Sequence, residues 1–382
     1  MIERAFVTPE LESLAWDAAS AVVDEALELE RNAKSPADAL RAMVALYGRA
    51  GLLGLVTRRE LGGALEVTSS VAVCLVRERL GHASPLAELA FAMQGLGSYP
   101  ITAARPPEGP AREALLEVVA GRAVAAFAIT EPEAGTDLGG IATTARRDGD
   151  AYVLSGRKCF ISNAGVADVY VVFAATGPPE DRRRLSAFMV RGDAKGLRAV
   201  PTKVLGGHPI GTLELDGVRV PADHRLGDEG DGMRLALTTL HRFRPTVGAA
   251  AVGFAQRALD ESVTHVKTRR QFGAPLADLQ LVQARLGEMA CEVEAARLLV
   301  YRAAHAADAN AERGVIARTG SMAKLVATEA AQRVIDSAVQ LHGGRGVADS
   351  VVARLYEDVR ALRIYEGTND VHKLLIAREL LT

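Results

Sequence analysis

Near the end of this 382-residue sequence, Ile364-Tyr365-Glu366-Gly367-Thr368-Asn369-Asp370 sets a carboxylate directly before a glycine. In an apolar, water-poor surrounding a glutamate holds its proton to higher pH, which suits it to serve as a proton acceptor. An ordinary solvated glutamate fits the same letters. Arg269-Arg270-Gln271-Phe272-Gly273 places two guanidinium groups beside an aromatic ring and a glycine. Arginine binds phosphate through a planar fork of donors, though a charged helix end reads the same way. Thr130-Glu131-Pro132-Glu133-Ala134-Gly135-Thr136-Asp137 is a turn rich in hydroxyls and backbone donors, a type that holds cofactor phosphates or carbonyls and more often holds only water. Gln340-Leu341-His342-Gly343-Gly344-Arg345-Gly346 lets a backbone approach a ligand closely or simply caps a helix. It is not a dinucleotide fingerprint, because a helix precedes it where that motif needs a strand. His342 and His372 have no metal-ligand spacing around them, so no metal site is expected.

These segments need elements to hold them. The first 118 or so residues read as helical, with apolar side chains at three- and four-residue steps. Ser35-Pro36-Ala37-Asp38 is a helix start, with serine as cap and proline in the first turn, and Pro106-Pro107-Glu108-Gly109-Pro110 is a breaker. From Gly121 to Gly227 the texture changes to short apolar stretches, most with β-branched or aromatic residues: Val124–Ile129, Ala151–Leu154, Val169–Ala174, Ser186–Val190 and Leu213–Val220. Asp148-Gly149-Asp150 is expected to turn the chain before Tyr152. Asp216-Gly217 is expected to fold Leu213-Glu214-Leu215 back on Val218-Arg219-Val220 as a tight hairpin. With no helices alternating between these strands, an antiparallel β unit is expected. After Gly232 long helices return. Val282, Leu286, Met289, Val293 and Leu299 or Val300 mark one apolar face, and Ala327, Ala331, Val334, Ala338 and Leu341 mark another that Gly343-Gly344 ends. The expected class is mainly α with a central β domain, divided as residues 1–118, 119–228 and 229–382.

Composition narrows the function. Lysine and arginine number 45 against 47 acidic residues, a net charge of −2, so no bulk field draws this chain to nucleic acid or an anionic membrane. The longest uncharged apolar run, Val247–Ala255, is about half of the ~20 residues a membrane span needs. Met1-Ile2-Glu3-Arg4 carries acid where a signal peptide is positive, and Cys74, Cys159 and Cys291 stand far apart. A cytoplasmic protein with reduced thiols is the expectation.

Taken in order and spacing, four of these stretches resemble the acyl-CoA dehydrogenase family of flavoproteins: Ala128 through Asp137, Lys158-Cys159-Phe160-Ile161-Ser162-Asn163, Arg269 through Gly273 with Gln280, and Tyr365-Glu366-Gly367-Thr368. The likeness covers most of the chain and is strongest from Phe127 onward. It implies an N-terminal helical domain, a middle β domain and a C-terminal four-helix bundle, with FAD between the last two and a homotetramer built as a dimer of dimers. It implies that Phe127, Ile129, Thr130 and Thr136 line the flavin, Thr136 lying also near the CoA arm. Phe160 and Ser162 would pack and hydrogen-bond against the isoalloxazine; many members carry Trp where Phe160 stands, and Phe still supplies an apolar wall. Arg269, Phe272, Gln280 and the stretch Gln340 to Gly344, including Gly343, would reach the FAD of a neighbouring subunit. Thr368 and Asp370 would close the site, although the family often has Gln or Glu at the place of Asp370.

Glu366 matches the family's base. It would take the α-proton of an acyl-CoA thioester while the β-hydride passes to flavin N5, leaving a trans-2-enoyl-CoA. The thioester carbonyl would be held by the ribityl 2′-hydroxyl and the backbone N–H of Glu366, each such donor worth roughly 3–4 kcal/mol. Other branches place the base where Phe243 stands here, and phenylalanine accepts no proton. Arg244, Tyr365 and Gly367 match substrate-contacting positions, whereas His241 replaces a common acidic residue. Glu88 stands where the glutaryl branch has an arginine for a distal carboxylate, which argues against a glutaryl substrate; branched, cyclic and straight acyl chains stay open. The resemblance implies an electron-transfer flavoprotein as acceptor. An oxidase passing electrons to dioxygen and a non-catalytic flavin- or CoA-binding protein are the alternatives.

Overall fold

The computed structural model describes residues 6–104 and 109–381. The acidic start at Met1–Arg4 and the centre of the Pro106–Pro110 breaker lie outside the described residues. Among the described residues seven α-helices precede the strands: α1 (Pro9–Glu12), α2 (Ala18–Ala21), α3 (Val23–Asn32), α4 (Pro36–Arg49), α5 (Ser70–Ala83), α6 (Pro85–Ala103) and α7 (Gly109–Val119). Ser35 caps α4 as its sequence anticipates, its hydroxyl accepting from Asp38 N, with Pro36 in the first turn. α5 is apolar almost all round and buried from Ser70 to Glu78, which is how a helix reads when neighbours cover every face.

Strands β1 (Ala125–Ala128), β2 (Thr144–Asp148), β3 (Ala151–Ser162), β4 (Val169–Ala175), β5 (Leu185–Arg191), β6 (Leu197–Pro201), β7 (Ile210–Pro221) and β8 (Arg225–Leu226) form one sheet. The order is β6-β7-β3-β2-β4-β5-β8, and β1 pairs with β4. Most pairs are antiparallel, but β1–β4 is parallel and β2 meets β4 in parallel at Thr144 and Ala175, so the sheet is not antiparallel throughout. β2 and β3 join through Gly149-Asp150, with Gly149 at φ +63°, the left-handed position such a two-residue turn needs.

Asp216-Gly217 does not make a hairpin. β7 runs straight through it, paired with β3 on one side and β6 on the other. Leu154 faces Val218 and Gly156 faces Leu215, so Asp216 and Gly217 together oppose Ser155. The left-handed Gly217 (φ +62°) is a bulge that twists the strand without turning it. The same dipeptide suits both devices, and the partner strands on either side decide between them.

A long helix α8 (Gly232–Thr268), a small hairpin β9 (Arg270–Gln271) and β10 (Ala274–Pro275), α9 (Gln280–Asp308), α10 (Arg313–His342), α11 (Val351–Leu362) and α12 (Asn369–Leu381) complete the chain. By compactness the chain forms two units. One holds Met1–Val23, Ser70–Glu88 and His241–Thr382, and the other holds Asp24–Ser69 and Leu89–Leu240. In the first, α10 packs on α9, α11 and α12, and α5 packs on α9. A Cβ at Gly248 of α8 would lie 2.7 Å from Val300 and 3.3 Å from Ala327, so glycine there lets three long helices close together. Of the expected apolar faces, Ala327, Ala331, Val334 and Ala338 are buried while Leu341 is half-buried; Met289, Val293 and Val300 are buried while Val282 and Leu286 are only half covered. In the second unit, the sheet's Val171, Phe173, Ala187 and Met189 pack with Ile101, Leu115 and Val118 of α6 and α7. Among the described residues no helix is long and apolar enough to cross a membrane, and no group of three or more His, Cys, Asp or Glu is arranged to hold a metal.

Candidate active site

In the first unit, Glu366 follows α11 and precedes α12 in a short loop, where its backbone takes φ +53° and that of Gly367 φ +95°. A left-handed glutamate is strained, and such strain persists only where its surroundings hold it. Its carboxylate oxygen Oε2 is buried and has no hydrogen-bond partner within the chain. Burial raises the carboxyl above its usual range and Glu88 adds to this, while Arg77, Arg244 and Lys324 pull it down; burial prevails.

Two of these three cations have an anchor of their own. Arg77 of α5 donates through Nε to Glu88 and through Nη1 to Thr246 Oγ1 at 2.7 Å, inside a pair whose side chains are both 3% exposed. Lys324 of α10 is fully buried, and its Nζ donates to the Gly367 carbonyl and to Asn369 Oδ1, each at 2.9 Å. Burial draws its ammonium down to about 8, although Glu366 opposes this. Arg244 is buried, and its Nε has no partner in the chain. His372 on α12 is completely buried, its ring 3.1 Å from where a Gly367 Cβ would stand, and burial holds it neutral, down to about 4. A side chain at position 367 would therefore collide with the imidazole as well as strain the backbone. Burial likewise raises Tyr365, with Glu88 adding to it. Thr368 Oγ1 accepts from Val371 N at 3.4 Å at the start of α12, and Asp370 is exposed and pairs with Lys373. Phe243, in α8, is buried.

A second group in the same unit lies at its surface. Phe272 and Gly273 form the two-residue tip between β9 and β10, with φ +51° and +82°, and the Phe272 ring is 96% exposed. Both left-handed positions are what such a turn requires, and an aromatic ring strained into one of them faces away from its own chain. His265 stacks on His342 at 4.3 Å, which joins the end of α8, next to Arg269, to the end of α10. Arg269, Gln280, Gln340, Gly343 and Gly344 are all exposed, and the space around both glycines is open.

In the second unit, Phe127 lies on β1 with Ile129 and Thr130 just beyond it, and Phe160 and Ser162 lie on β3. Cys159 N donates to the Thr130 carbonyl at 2.9 Å, and Lys158 Nζ donates to the Ile129 carbonyl at 3.1 Å, so the two stretches are held together. Glu131 completes the clamp: its carboxylate accepts from Lys158 Nζ at 2.8 Å, Ala142 N at 2.6 Å and Thr143 N at 3.0 Å. Lys158 faces Leu213 and Ile161 faces Gly211, so Cys159 and Phe160 oppose Thr212 alone in a second bulge. There Phe160 takes φ +54° and turns a ring that is 61% exposed out of the strand. Phe127 and Ile129 are buried, Thr130 and Ser162 half-buried, and Thr136 exposed. Four of the five left-handed non-glycine residues among those described, Phe160, Asn163, Phe272 and Glu366, lie in the sequence motifs.

Sequence reading missed Arg77, Lys324, Asn369 and His372 around the glutamate, and the Glu131–Lys158 clamp. For Lys324 a signal exists: it precedes Ala327 and Ala331 by three and seven residues, on a face that is otherwise apolar.

With this geometry in view, comparison with known proteins is specific. Residues 126–218 match the acyl-CoA dehydrogenase middle-domain family model, and residues 230–381 match the acyl-CoA dehydrogenase C-terminal-domain model. The chain is 40% identical over 339 residues to a cyclohexane-1-carbonyl-CoA dehydrogenase of Geobacter metallireducens, covering 87% of each. It is similar to a solved structure described as the electron transferring flavoprotein of Acidaminococcus fermentans, with TM-score 0.90, 31% identity and 98% of both chains covered. It is also similar to an acyl-CoA dehydrogenase complexed with FAD from Bacillus anthracis, with TM-score 0.87 and 30% identity over 98% of this chain and 67% of that one. This is the fold of a family of flavoprotein oxidoreductases. The chain belongs to the acyl-CoA dehydrogenase family.

Proposed function

We propose that this chain is an FAD-dependent acyl-CoA dehydrogenase in which Glu366 removes the α-proton of a saturated acyl-CoA. The observation that carries the reading is Glu366 itself: a strained backbone, a buried Oε2 with no partner in the chain, and a carboxyl raised by burial beside three cations. A proton acceptor needs an unoccupied lone pair and a pKa drawn toward working pH, and this carboxylate has both. The nearby cations keep part of it ionised and favour negative charge developing on the substrate. His372, held neutral, adds no competing charge.

The residues present fit FAD. Two bulged or turned aromatic rings, Phe160 and Phe272, are exposed; the hydroxyl-bearing Thr130 and Ser162 are only half covered; and Gly343 and Gly344 leave open space. Phe127, Ile129, Thr130, Thr136, Phe160 and Ser162 would hold its ring, Arg269, Phe272, Gln280, Gln340, Gly343 and Gly344 the FAD of a neighbouring subunit, and Thr368 and Asp370 its catalytic side. When bound, FAD supplies a two-electron acceptor for the β-hydride. Arg244, Tyr365, Gly367 and Thr136 would contact the acyl-CoA. Exposed Phe272 and Leu281, 96% and 86% accessible, support a subunit contact and with it a homotetramer. The division at residues 118 and 228 and an electron-transfer flavoprotein as acceptor belong to the same reading.

The acyl group has no second carboxylate in this reading. Glu88 stands where a cation for it would be needed, and the neighbouring Arg77 is already engaged by Glu88 and Thr246. The test is anaerobic mixing of the yellow holoprotein with butyryl-, octanoyl-, isovaleryl- and cyclohexane-1-carbonyl-CoA. Bleaching with one of them and its absence in Glu366→Gln are the expected results. A Glu366→Gln variant that bleaches at the parental rate overturns the role given to this residue.

A further inference from the structure

The loop that carries Glu366 is strapped to one face of α10, and the strap is built around a buried cation. Lys324 Nζ donates to the Gly367 carbonyl at 2.9 Å and to Asn369 Oδ1 at 2.9 Å. One turn on, Thr328 Oγ1 accepts from Asn369 Nδ2 at 3.0 Å and itself donates to the Lys324 carbonyl at 2.8 Å. Glu329 Oε1 accepts from Asn369 Nδ2 at 2.8 Å and from Arg363 Nε at 2.9 Å, and Asn369 N donates to the Arg363 carbonyl at 3.1 Å. Residues 324, 328 and 329 thus grip both ends of a loop whose centre is the left-handed pair Glu366 and Gly367. An isolated chain would relax such a pair, since a glutamate in the left-handed region is strained. The Gly367 carbonyl, one residue beyond the strained position, is tied to a fully buried side chain on α10.

We propose that Lys324 is a positioning residue for the proton-abstracting glutamate: through the Gly367 carbonyl it holds the Glu366 backbone left-handed. This rests on the reading of Glu366 as the base. Two roles meet in one group. As a donor, Lys324 sets where the carboxylate stands. As a cation, it acts with Arg77 of α5 and Arg244 of α8, against Glu88 of α6 and beside Tyr365 and the neutral His372 of α12, to set the pH at which Glu366 takes up a proton. A lysine used only to fill space on an apolar helix face would do neither.

The two roles separate in two variants of the holoenzyme. Lys324→Met removes donor and charge; Lys324→Gln removes the charge and keeps an amide donor on a side chain one atom shorter. Each is compared with the parent for flavin content, melting temperature and the limiting rate of anaerobic flavin bleaching by the best acyl-CoA of the panel, between pH 5.5 and 9. Lys324→Met is expected to lose about 10²-fold in limiting rate, the scale of a misplaced reacting group, with KM changed far less. Lys324→Gln is expected to recover about tenfold of that loss. In both, the acid limb of the profile moves up by about one pH unit, because a cation that favoured the carboxylate is gone. The proposal is overturned if folded, flavin-loaded variants bleach at the parental rate, or if the rate falls while the acid limb stays in place. It is equally overturned if neither variant accumulates as folded flavoprotein, since Lys324 is then a folding residue. Glu366→Gln measured alongside separates the two readings: if that variant is inactive while Lys324→Met is parental, the base stands and the positioning role fails; if Glu366→Gln is itself active, the base assignment fails first.

Discussion

Removing one partner of the Glu131–Lys158 clamp should have very unequal consequences. Lys158 is fully buried, and its Nζ donates to Glu131 and to the Ile129 carbonyl. Burial outweighs the attraction of Glu131 and draws the ammonium down to about 8 from 10.5. At 1.36 kcal/mol per unit, keeping that charge inside the folded unit costs about 3 kcal/mol. Its removal by Lys158→Met relieves this cost and leaves Glu131 with two backbone donors, Ala142 N and Thr143 N. The net cost should therefore stay below the roughly 3–5 kcal/mol typical of stranding a buried charge, because the relieved desolvation and the two remaining donors offset part of it. Glu131 is the opposite case. Burial alone would raise its carboxyl, but Lys158 and the donors at Thr143 and Ala142 together hold it below its usual range. Glu131→Ala strips the counter-charge from a buried cation and orphans both N–H groups, for a loss of about 3–5 kcal/mol. For a unit of about 200 residues that is a melting shift on the order of 10 °C. The assay is thermal unfolding of each single variant and of the double variant by circular dichroism at pH 7. In the double variant much of the Glu131→Ala cost should return, since no cation is left stranded. The reasoning is refuted if Lys158→Met is as destabilising as Glu131→Ala, or if the two costs simply add. The pH sign follows. With its folded pKa lowered, Glu131 contributes stability above the unfolded carboxylate range that is lost as pH falls, whereas Lys158 makes the fold gain stability as pH rises from about 8 toward 10.5.

Three further outcomes follow from the same structure. Gly217→Val should cost about 1–2 kcal/mol from backbone strain alone, because the bulge needs φ +62° while the nearest atom to an added Cβ is 4.0 Å away; an unchanged denaturation midpoint would remove the bulge assignment. Phe272→Gly should stabilise the isolated fold slightly or leave it unchanged, by relieving the left-handed φ of an exposed residue, yet release FAD and shift sedimentation toward smaller species; full flavin retention in an intact oligomer would refute a cofactor role for that ring. The limiting rate of flavin bleaching should fall as pH drops through a pKa above the ordinary carboxylate range, because burial raises Glu366 and only its ionised form accepts a proton; a rate flat down to pH 5 contradicts this.

What could be read from the letters alone was local or repetitive. The serine cap and proline start of α4, the Gly149 turn, the apolar stripe of α10 and its glycine end are consequences of side-chain size, backbone freedom and periodicity over a few residues, so no distant partner was needed to see them. Glu366 and the aromatic residues Phe160 and Phe272 were also legible, because motif spacing marks them. Their left-handed backbones were not, since strain at a residue is imposed by neighbours that hold it there. Asp216-Gly217 shows the limit most plainly: the dipeptide suits a left-handed position, but whether the chain turns or bulges depends on β3 and β6, far away in sequence. The cations around Glu366 come from α5, α8 and α10, stretches spread over more than two hundred residues. Each looks alone like a charge on a helix, and only packing buries the Glu366 carboxyl, lifts it and gathers Arg77, Arg244 and Lys324 around it.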